Sequence, residues 1–232
     1  MKIHYRREKH QLIANCLANF NSEFLSEHAI FFGGGTRIAL ELDEYRESVD
    51  IDFLCKDKAA FRAVRQQVNN SSLGELVYKE FNYGREIIFD RYGVRTFIKL
   101  DNVAIKLEFV AFDNYALAAA AGAFFPVPYL DRSSCFATKL LANADRVGIK
   151  PYKDIFDLIV MYSNWGDIPS TALFESYSHY GQQVVDKKLH QALTLLLANP
   201  LEYSEAAANM SVTADYYSDS ILPQAQKMLD NL

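Results

Sequence analysis

The chain has 232 residues, a formal net charge of −5, and an apolar fraction of one half. This composition excludes intrinsic disorder, and the negative charge argues against a surface that coats nucleic acid. No apolar run reaches the ~20 residues of a membrane helix, and the N-terminus lacks a signal-peptide pattern. Three widely spaced cysteines are typical of a reduced compartment. We therefore expect a cytoplasmic protein without membrane contact.

Taken in chain order, the pattern predicts an α+β first part and a helical second part. The first part is predicted to contain helices over 5–28, 36–44 and 59–69, and strands over 29–32, 49–55, 76–81, 86–92, 94–100, 103–112 and 127–130. The second part is predicted to be helical over 133–147, 152–164, 169–178, 181–198, 202–209 and 213–231. We therefore predict a division into residues 1–130 and 131–232.

A glycine turn followed by two alternating acids is the most informative feature. Gly34 and Gly35 precede Thr36 and a short helix, and Asp50 and Asp52 then alternate with apolar residues. Period two places both carboxylates on one face of a strand, roughly 6 to 7 Å apart. Carboxylates at this spacing can share divalent metal ions, and glycines let backbone N–H groups approach a phosphate. The pattern favours phosphoryl or nucleotidyl transfer.

A third acid, Glu108, lies in a later apolar strand and shares a face with Lys106. An unpaired charge in such a strand is costly, so Glu108 either joins the two aspartates at a metal or forms a salt bridge with Lys106 beside solvent. Basic residues are concentrated at Arg85, Arg91, Arg95 and Lys99, and again over 139–153. These clusters indicate either a local cleft for a triphosphate or an RNA end, or an ordinary solvated surface.

A second group of charged residues occupies the helices over 133–164. Lys139 and Arg146 are seven residues apart and share a helix face, whereas Lys153 and Asp154 begin the next helix. Acids in a first helical turn are common because of the helix dipole, which explains Asp154 without any functional role. Asp157 lies among apolar residues and needs a partner, for which Lys139 and Arg146 are the candidates.

These two groups, in this order, resemble a known family. The first is Gly-Gly-Thr (34–36) followed by Arg-x-Ser-x-Asp-Ile-Asp (46–52), and the second is Lys-x-x-Ala, Arg and Lys-Asp-x-x-Asp-Leu within 139–158. On these residues the chain resembles the AbiEii/AbiGii toxin family of nucleotidyltransferases, within the DNA-polymerase-β-like superfamily. Arg37 departs from the small or apolar residue that usually follows Gly-Gly-Thr.

The resemblance implies a nucleotidyltransferase-like mixed sheet flanked by helices, with a helical C-terminal lobe that closes over the nucleotide. It implies transfer of a nucleoside monophosphate from an NTP to a hydroxyl acceptor, in this case RNA such as a tRNA end, by the toxin of a toxin–antitoxin or abortive-infection pair with a cognate antitoxin. The implied metal ligands for Mg²⁺ or Mn²⁺ are Asp50, Asp52 and Glu108. The implied catalytic residues also include Lys139, Lys153, Asp154 and Asp157, and the implied nucleotide-binding residues are Gly34, Gly35, Thr36, Arg37, Ser48 and Arg146.

Two other functions remain open at this point. The superfamily fold also serves small-molecule nucleotidyltransferases, such as those that modify antibiotics. A nucleotide-binding protein without turnover would carry the same motifs and would bind an NTP without releasing pyrophosphate.

Overall fold

The computed structural model of the protein describes residues 4–100 and 102–232. Packing divides the chain into two units, which are described separately here. The first unit extends to Arg37 and continues over Val49–Asp131, and the second contains Ile38–Ser48 and Arg132–Leu232. The division predicted after residue 130 stays a prediction.

The first unit is built on a mixed five-stranded sheet. Its strands are β1 (Ile30–Gly33), β2 (Asp50–Cys55), β3 (Ile88–Phe89), β4 (Gly93–Leu100) and β5 (Val103–Ala111), in the order β1-β2-β5-β4-β3. Strands β2 and β5 are parallel, and the other neighbours are antiparallel. The mixed sheet with flanking helices confirms the predicted α+β fold.

One face of this sheet carries the core of the first unit. Ile51, Phe53 and Phe109 are fully buried on it, and the rings of Phe53 and Phe109 stack with centroids 5.1 Å apart. Phe20 packs its ring 4.7 Å from Phe53. Because side chains alternate along each strand, the residues between these apolar positions point to the opposite face.

The helix predicted over 5–28 is wrong as a single element. The structure has α1 (Glu8–Leu17) and α2 (Ser22–Glu27), separated where Phe20 forms a bridge with Val77. Asn21 caps α2 by accepting a hydrogen bond from the backbone N–H of Phe24. This tertiary bridge and the local cap outweigh the helical spacing of the apolar residues.

Three predicted strands are also corrected. Residues 76–81 form no strand, because the Glu80 carboxylate accepts hydrogen bonds from the backbone N–H groups of Leu73 and Gly74 and holds a loop with a 3₁₀ turn at Gly74–Leu76. Over 86–92 only β3 forms, since Asp90 accepts from Tyr92 and Gly93 in a turn. Residues 127–130 make isolated bridges beside β1 rather than a strand. The remaining helices of the first part are α3 (Gly34–Glu41) and α4 (Lys58–Gln67).

The second unit is helical, as predicted. Helix α6 is its most buried element, since residues 154–162 are all buried. The helices are α5 (Arg132–Arg146), α6 (Lys153–Trp165), α7 (Ser170–Tyr180), α8 (Gln182–Ala198), α9 (Pro200–Asn209), α10 (Ala214–Tyr216) and α11 (Leu222–Asp230).

The helical stretch predicted over 213–231 is present, with a π-helical turn at Tyr217–Ile221 between α10 and α11. Pro223 lies in the first turn of α11 and has no N–H to donate, which favours a local change of the hydrogen-bond pattern.

Across residues 4–100 and 102–232, no helix combines the length and apolarity needed to cross a membrane.

Candidate active site

Strand β2 presents Asp50 and Asp52 on the sheet face opposite the core, as the alternation predicts. Both carboxylates are partly exposed, whereas Ile51 and Phe53 between and after them are fully buried. The register places Asp50 opposite Lys106 and Asp52 opposite Glu108 on the parallel strand β5. The three predicted metal-ligating acids therefore lie on one face of two neighbouring strands.

Gly34 packs directly against the Asp52 carboxylate. The last residue of β1, Gly33, is paired with Asp52, and Gly34 then turns the chain into α3 with a φ of +68°. A Cβ at Gly34 would lie 2.2 Å from Asp52 Oδ2, which leaves no room for a side chain. The conformation and the close approach both require glycine at this position.

The remaining nucleotide-binding candidates next to this turn differ in exposure. Gly35 is partly exposed in the first turn of α3, but Thr36 and Arg37 are buried. The Arg37 guanidinium carbon lies 5.4 Å from the ring centroid of Tyr129, so this side chain points into the first unit. Ser48, the last residue of the second unit's short segment, is partly exposed in a loop.

Glu108 is held by two cations on the same sheet face. Arg95 Nε lies 2.6 Å from Glu108 Oε1, and Lys106 Nζ lies 2.5 Å from Glu108 Oε2. Burial alone would raise the pKa of Glu108, but Lys106 and Arg95 outweigh burial and lower it. Burial alone would lower the pKa of Lys106, but Glu108, Asp52 and Asp50 outweigh burial and raise it. The salt bridge with Lys106, one of the two alternatives for Glu108, is therefore present, and its role as a metal ligand stays a prediction.

The donor set for a metal is best provided by Asp50 and Asp52. Carboxylate oxygens are the ligands that Mg²⁺ prefers, and Mg²⁺ is commonly held by one or two carboxylates together with substrate phosphates. In the part of the chain that the structure describes, no group of three or more His, Cys, Asp or Glu side chains is arranged to hold a metal ion. The two aspartates fit such an ion, whereas both oxygens of Glu108 already accept hydrogen bonds from cations.

A buried ionic network in the second unit joins the predicted residues of α5 and α6. Lys139 Nζ lies 2.9 Å from Asp154 Oδ1 and 2.5 Å from Asp157 Oδ2. Arg146 pairs with the other oxygen of Asp154, at 2.7 Å. The prediction that Asp157 has a basic partner is confirmed, and this partner on α5 is Lys139. Lys153 is partly exposed at the first residue of α6.

The sequence interpretation missed two members of this network. Arg46 makes a bidentate interaction with Asp157, with Nε at 2.8 Å and Nη2 at 3.1 Å, and the Tyr45 hydroxyl also donates to Asp157. Both residues are buried. Arg46 is the first residue of the family pattern at 46–52, and this is the signal in the sequence that could have singled it out. Nothing in the sequence, however, predicts its contact with a residue 111 positions away.

The charges of this network stabilise one another. Burial alone would raise the pKa of Asp157, but Arg46 and Lys139 outweigh burial and lower it. Burial alone would lower the pKa of Lys139, but Asp157 and Asp154 outweigh burial and raise it. Asp157, Lys139 and Arg46 are therefore all charged at neutral pH. Removal of Asp157 would leave Arg46 without its acidic partner inside the unit.

A family model described as the nucleotidyl transferase AbiEii toxin of type IV toxin–antitoxin systems matches residues 15–230. Among curated protein sequences, none matches the chain.

Two solved structures share the fold. A candidate nucleotidyltransferase from H. pylori is 15% identical with a TM-score of 0.56, over 99% of this chain and 97% of that chain. JHP933 from Helicobacter pylori is 16% identical with a TM-score of 0.51, over 97% of this chain and 94% of that chain. At these identities the likeness shows the fold alone, whereas the family model covers nearly the whole sequence. The chain belongs to the AbiEii family of nucleotidyl transferase toxins from type IV toxin–antitoxin systems.

Proposed function

We propose that this nucleotidyltransferase moves a nucleoside monophosphate from an NTP to a hydroxyl of an RNA acceptor, such as a tRNA end, as a toxin controlled by a cognate antitoxin in the cytoplasm. The observation that carries the proposal is the packing of Gly34 on the Asp52 carboxylate. This packing brings a glycine turn and a helix N-terminus beside an acid that fits a divalent metal. A backbone N–H group at such a turn can bind a phosphate oxygen, and a metal ion held by the acid can bind a polyphosphate.

The residues of the first unit would divide the work as follows. Asp50 and Asp52 would hold Mg²⁺ or Mn²⁺, which would neutralise charge on the triphosphate and activate the attacking hydroxyl. Gly34, Gly35 and Thr36 would bind phosphate oxygens through backbone N–H groups at the start of α3. Glu108 would serve as the third acid, either as a ligand or as a base, and either role requires it to give up bonds to Arg95 or Lys106.

In the second unit, we propose that Lys139 and Lys153 counter the negative charge that develops on pyrophosphate. Lys139 Nζ has three N–H donors and makes contacts with two carboxylates, so a donor remains for a phosphate oxygen. Asp154 and Asp157 would orient Lys139, and Arg146 and Arg46 would complete the charge balance of the two acids. Arg37 and Ser48 remain proposed nucleotide-binding residues.

The test is incubation of the purified protein with total RNA, Mg²⁺ and each NTP labelled on its α-phosphate. We expect label in RNA, release of pyrophosphate, and loss of both in an Asp50→Asn protein. Label in a low-molecular-weight product instead would favour a small-molecule acceptor. An NTP-dependent rise in melting temperature without any pyrophosphate release would contradict turnover and favour a nucleotide-binding protein.

A further inference from the structure

The sheet face that carries Asp50 and Asp52 continues into a row of basic side chains. On β5, Lys106 lies opposite Asp50, and on β4, Phe97 lies opposite Lys106. Arg95 and Lys99 flank Phe97 on the same face, because residues two apart on a strand point the same way. The guanidinium of Arg85 lies over the Phe97 ring and so reaches this face. We call Arg85, Arg95, Phe97, Lys99 and Lys106 the basic strip.

The strip combines an aromatic ring with cations. The guanidinium carbon of Arg85 lies 4.7 Å from the ring centroid of Phe97, which is partly exposed. The chain before Arg85 is hydrogen-bonded along β4, with Gly84 N donating to the Phe97 carbonyl at 2.7 Å. A Cβ at Gly84 would lie 3.3 Å from Phe97 Cβ, so glycine avoids a tight contact with the base of this side chain.

The positive charge of the strip is least compensated at the end away from the aspartates. Arg95 and Lys106 are paired with Glu108, and Arg95 also with Asp90. Arg85 and Lys99 are exposed, and within residues 4–100 and 102–232 no acidic side chain forms an ion pair with either of them. These two cations are therefore available to an anionic partner, although the chain as a whole is acidic.

We propose that the basic strip binds the single-stranded end of an RNA and leads it to the carboxylates of β2. Single-stranded nucleic acids are bound by cations that follow the phosphates and by aromatic rings that stack on bases, and the strip presents both. The path from β2 across β5 and β4 to the chain before Arg85 has three steps between neighbouring segments. At about 4.8 Å each, these steps span roughly 14 Å, enough for about four phosphates of a stacked strand. The inference rests on the proposed function for the identity of the acceptor, but it concerns binding rather than transfer.

The experiment measures binding of a fluorescent single-stranded RNA of about ten nucleotides by anisotropy, without NTP or Mg²⁺, over a range of salt concentrations. The test protein carries Arg85→Ala and Lys99→Ala together. Each lost phosphate contact should lower the slope of log K against log salt by about 0.7, so the double variant should lose about 1.4. Phe97→Ala should weaken binding by roughly 5- to 150-fold, the range expected for one stacked base.

Arg62→Ala is the matched control, because Arg62 is an exposed arginine of the same unit on α4 and contributes nothing to the strip. Thermal melts confirm that each variant folds, and the shift caused by Mg²⁺-NTP should stay at the parent value in the double variant. Three results would overturn the proposal: no RNA binding by the parent protein at low salt, a double variant that binds with the parent's affinity and slope, or equal loss in Arg62→Ala. Binding that responds as expected in a protein without nucleotidyl transfer would instead contradict the proposed function alone.

Discussion

The substitution Gly34→Ala tests whether the glycine turn sets the position of the Asp52 carboxylate. Gly34 has a φ of +68°, and a Cβ there would lie 2.2 Å from Asp52 Oδ2 and 3.0 Å from Asp52 Cβ. Since real Cβ contacts are essentially never shorter than 3.0 Å, the carboxylate oxygen would have to move by at least 0.8 Å, the difference between 3.0 and 2.2 Å. Alanine therefore adds backbone strain and displaces a proposed metal ligand.

The two effects have separate magnitudes. A non-glycine residue in the left-handed region costs about 1–2 kcal/mol, and a side chain forced off its rotamer costs about 0.5–1.5 kcal/mol. We therefore expect the free energy of unfolding to fall by roughly 2–3 kcal/mol. A displacement of about 1 Å in a catalytic group lowers turnover by about 100-fold, so nucleotidyl transfer should fall by that factor or more.

Gly181→Ala is the matched control for strain alone. Gly181 has a φ of +79°, and a Cβ there would meet nothing within 4 Å. Its ψ of 143° places it close to a region that is essentially restricted to glycine, so this variant should lose about 1–3 kcal/mol of stability and retain transfer activity. Urea denaturation measures the stabilities, and incorporation of label from an NTP measures transfer. A Gly34→Ala protein with parental transfer activity would refute the reasoning, as would equal losses of activity in both variants.

Three further predictions concern the acids. Asp50→Asn and Asp52→Asn should each lower metal-dependent transfer by a factor of hundreds or more, with melting temperatures at or above that of the parent, since they remove like charges from a shared site; near-parental transfer at saturating Mg²⁺ would contradict their role. Asp157→Ala should lower the free energy of unfolding by about 3–5 kcal/mol, because it leaves the buried Arg46 without an acidic partner and Lys139 with Asp154 alone, whereas Asp113→Ala, which breaks an exposed ion pair, should cost less than about 1 kcal/mol; similar costs in urea denaturation would argue against the network. The stability difference between the parent and Asp157→Asn should stay constant from about pH 5 to pH 9. The pKa of Asp157 is lowered in the folded protein, so the contribution of its charge to stability is lost only as the pH falls below the unfolded value of ~3.9, and the pKa of Lys139 is raised, so the contribution of its charge is lost only as the pH rises above ~10.4. A change inside that window would show that another group titrates.

The parts of the site that were predicted correctly depend on local periodicity. Alternation along β2 is sufficient to place Asp50 and Asp52 on one face, because side chains in a strand reverse direction at each residue. The need of Asp157 for a basic partner likewise follows from its apolar neighbours in α6, since a buried acid without a partner is costly. Sequence periodicity captures such features because they require only one element and its burial.

The parts that were missed depend on contacts between distant segments. Arg46 reaches Asp157 from 111 residues away, and Arg95 reaches Glu108 from the neighbouring strand. No period in the sequence encodes which strand lies beside which. The break between α1 and α2 has the same origin, because the bridge of Phe20 with Val77 replaces a helical turn. Tertiary pairing therefore decides both where elements end and which charges meet.

The two groups of charged residues differ in what a substitution can reveal. Asp50 and Asp52 are partly exposed, so neutralising them changes the chemistry of the site with little effect on the core of the first unit. Lys139 is buried, and its removal takes one of two cationic partners from each of Asp154 and Asp157 inside the second unit. The weakened ionic network and the cavity left by the lysine side chain both lower stability. Loss of transfer in a Lys139→Ala protein would therefore report on folding as well as on catalysis, whereas loss in Asp50→Asn or Asp52→Asn reports on catalysis alone.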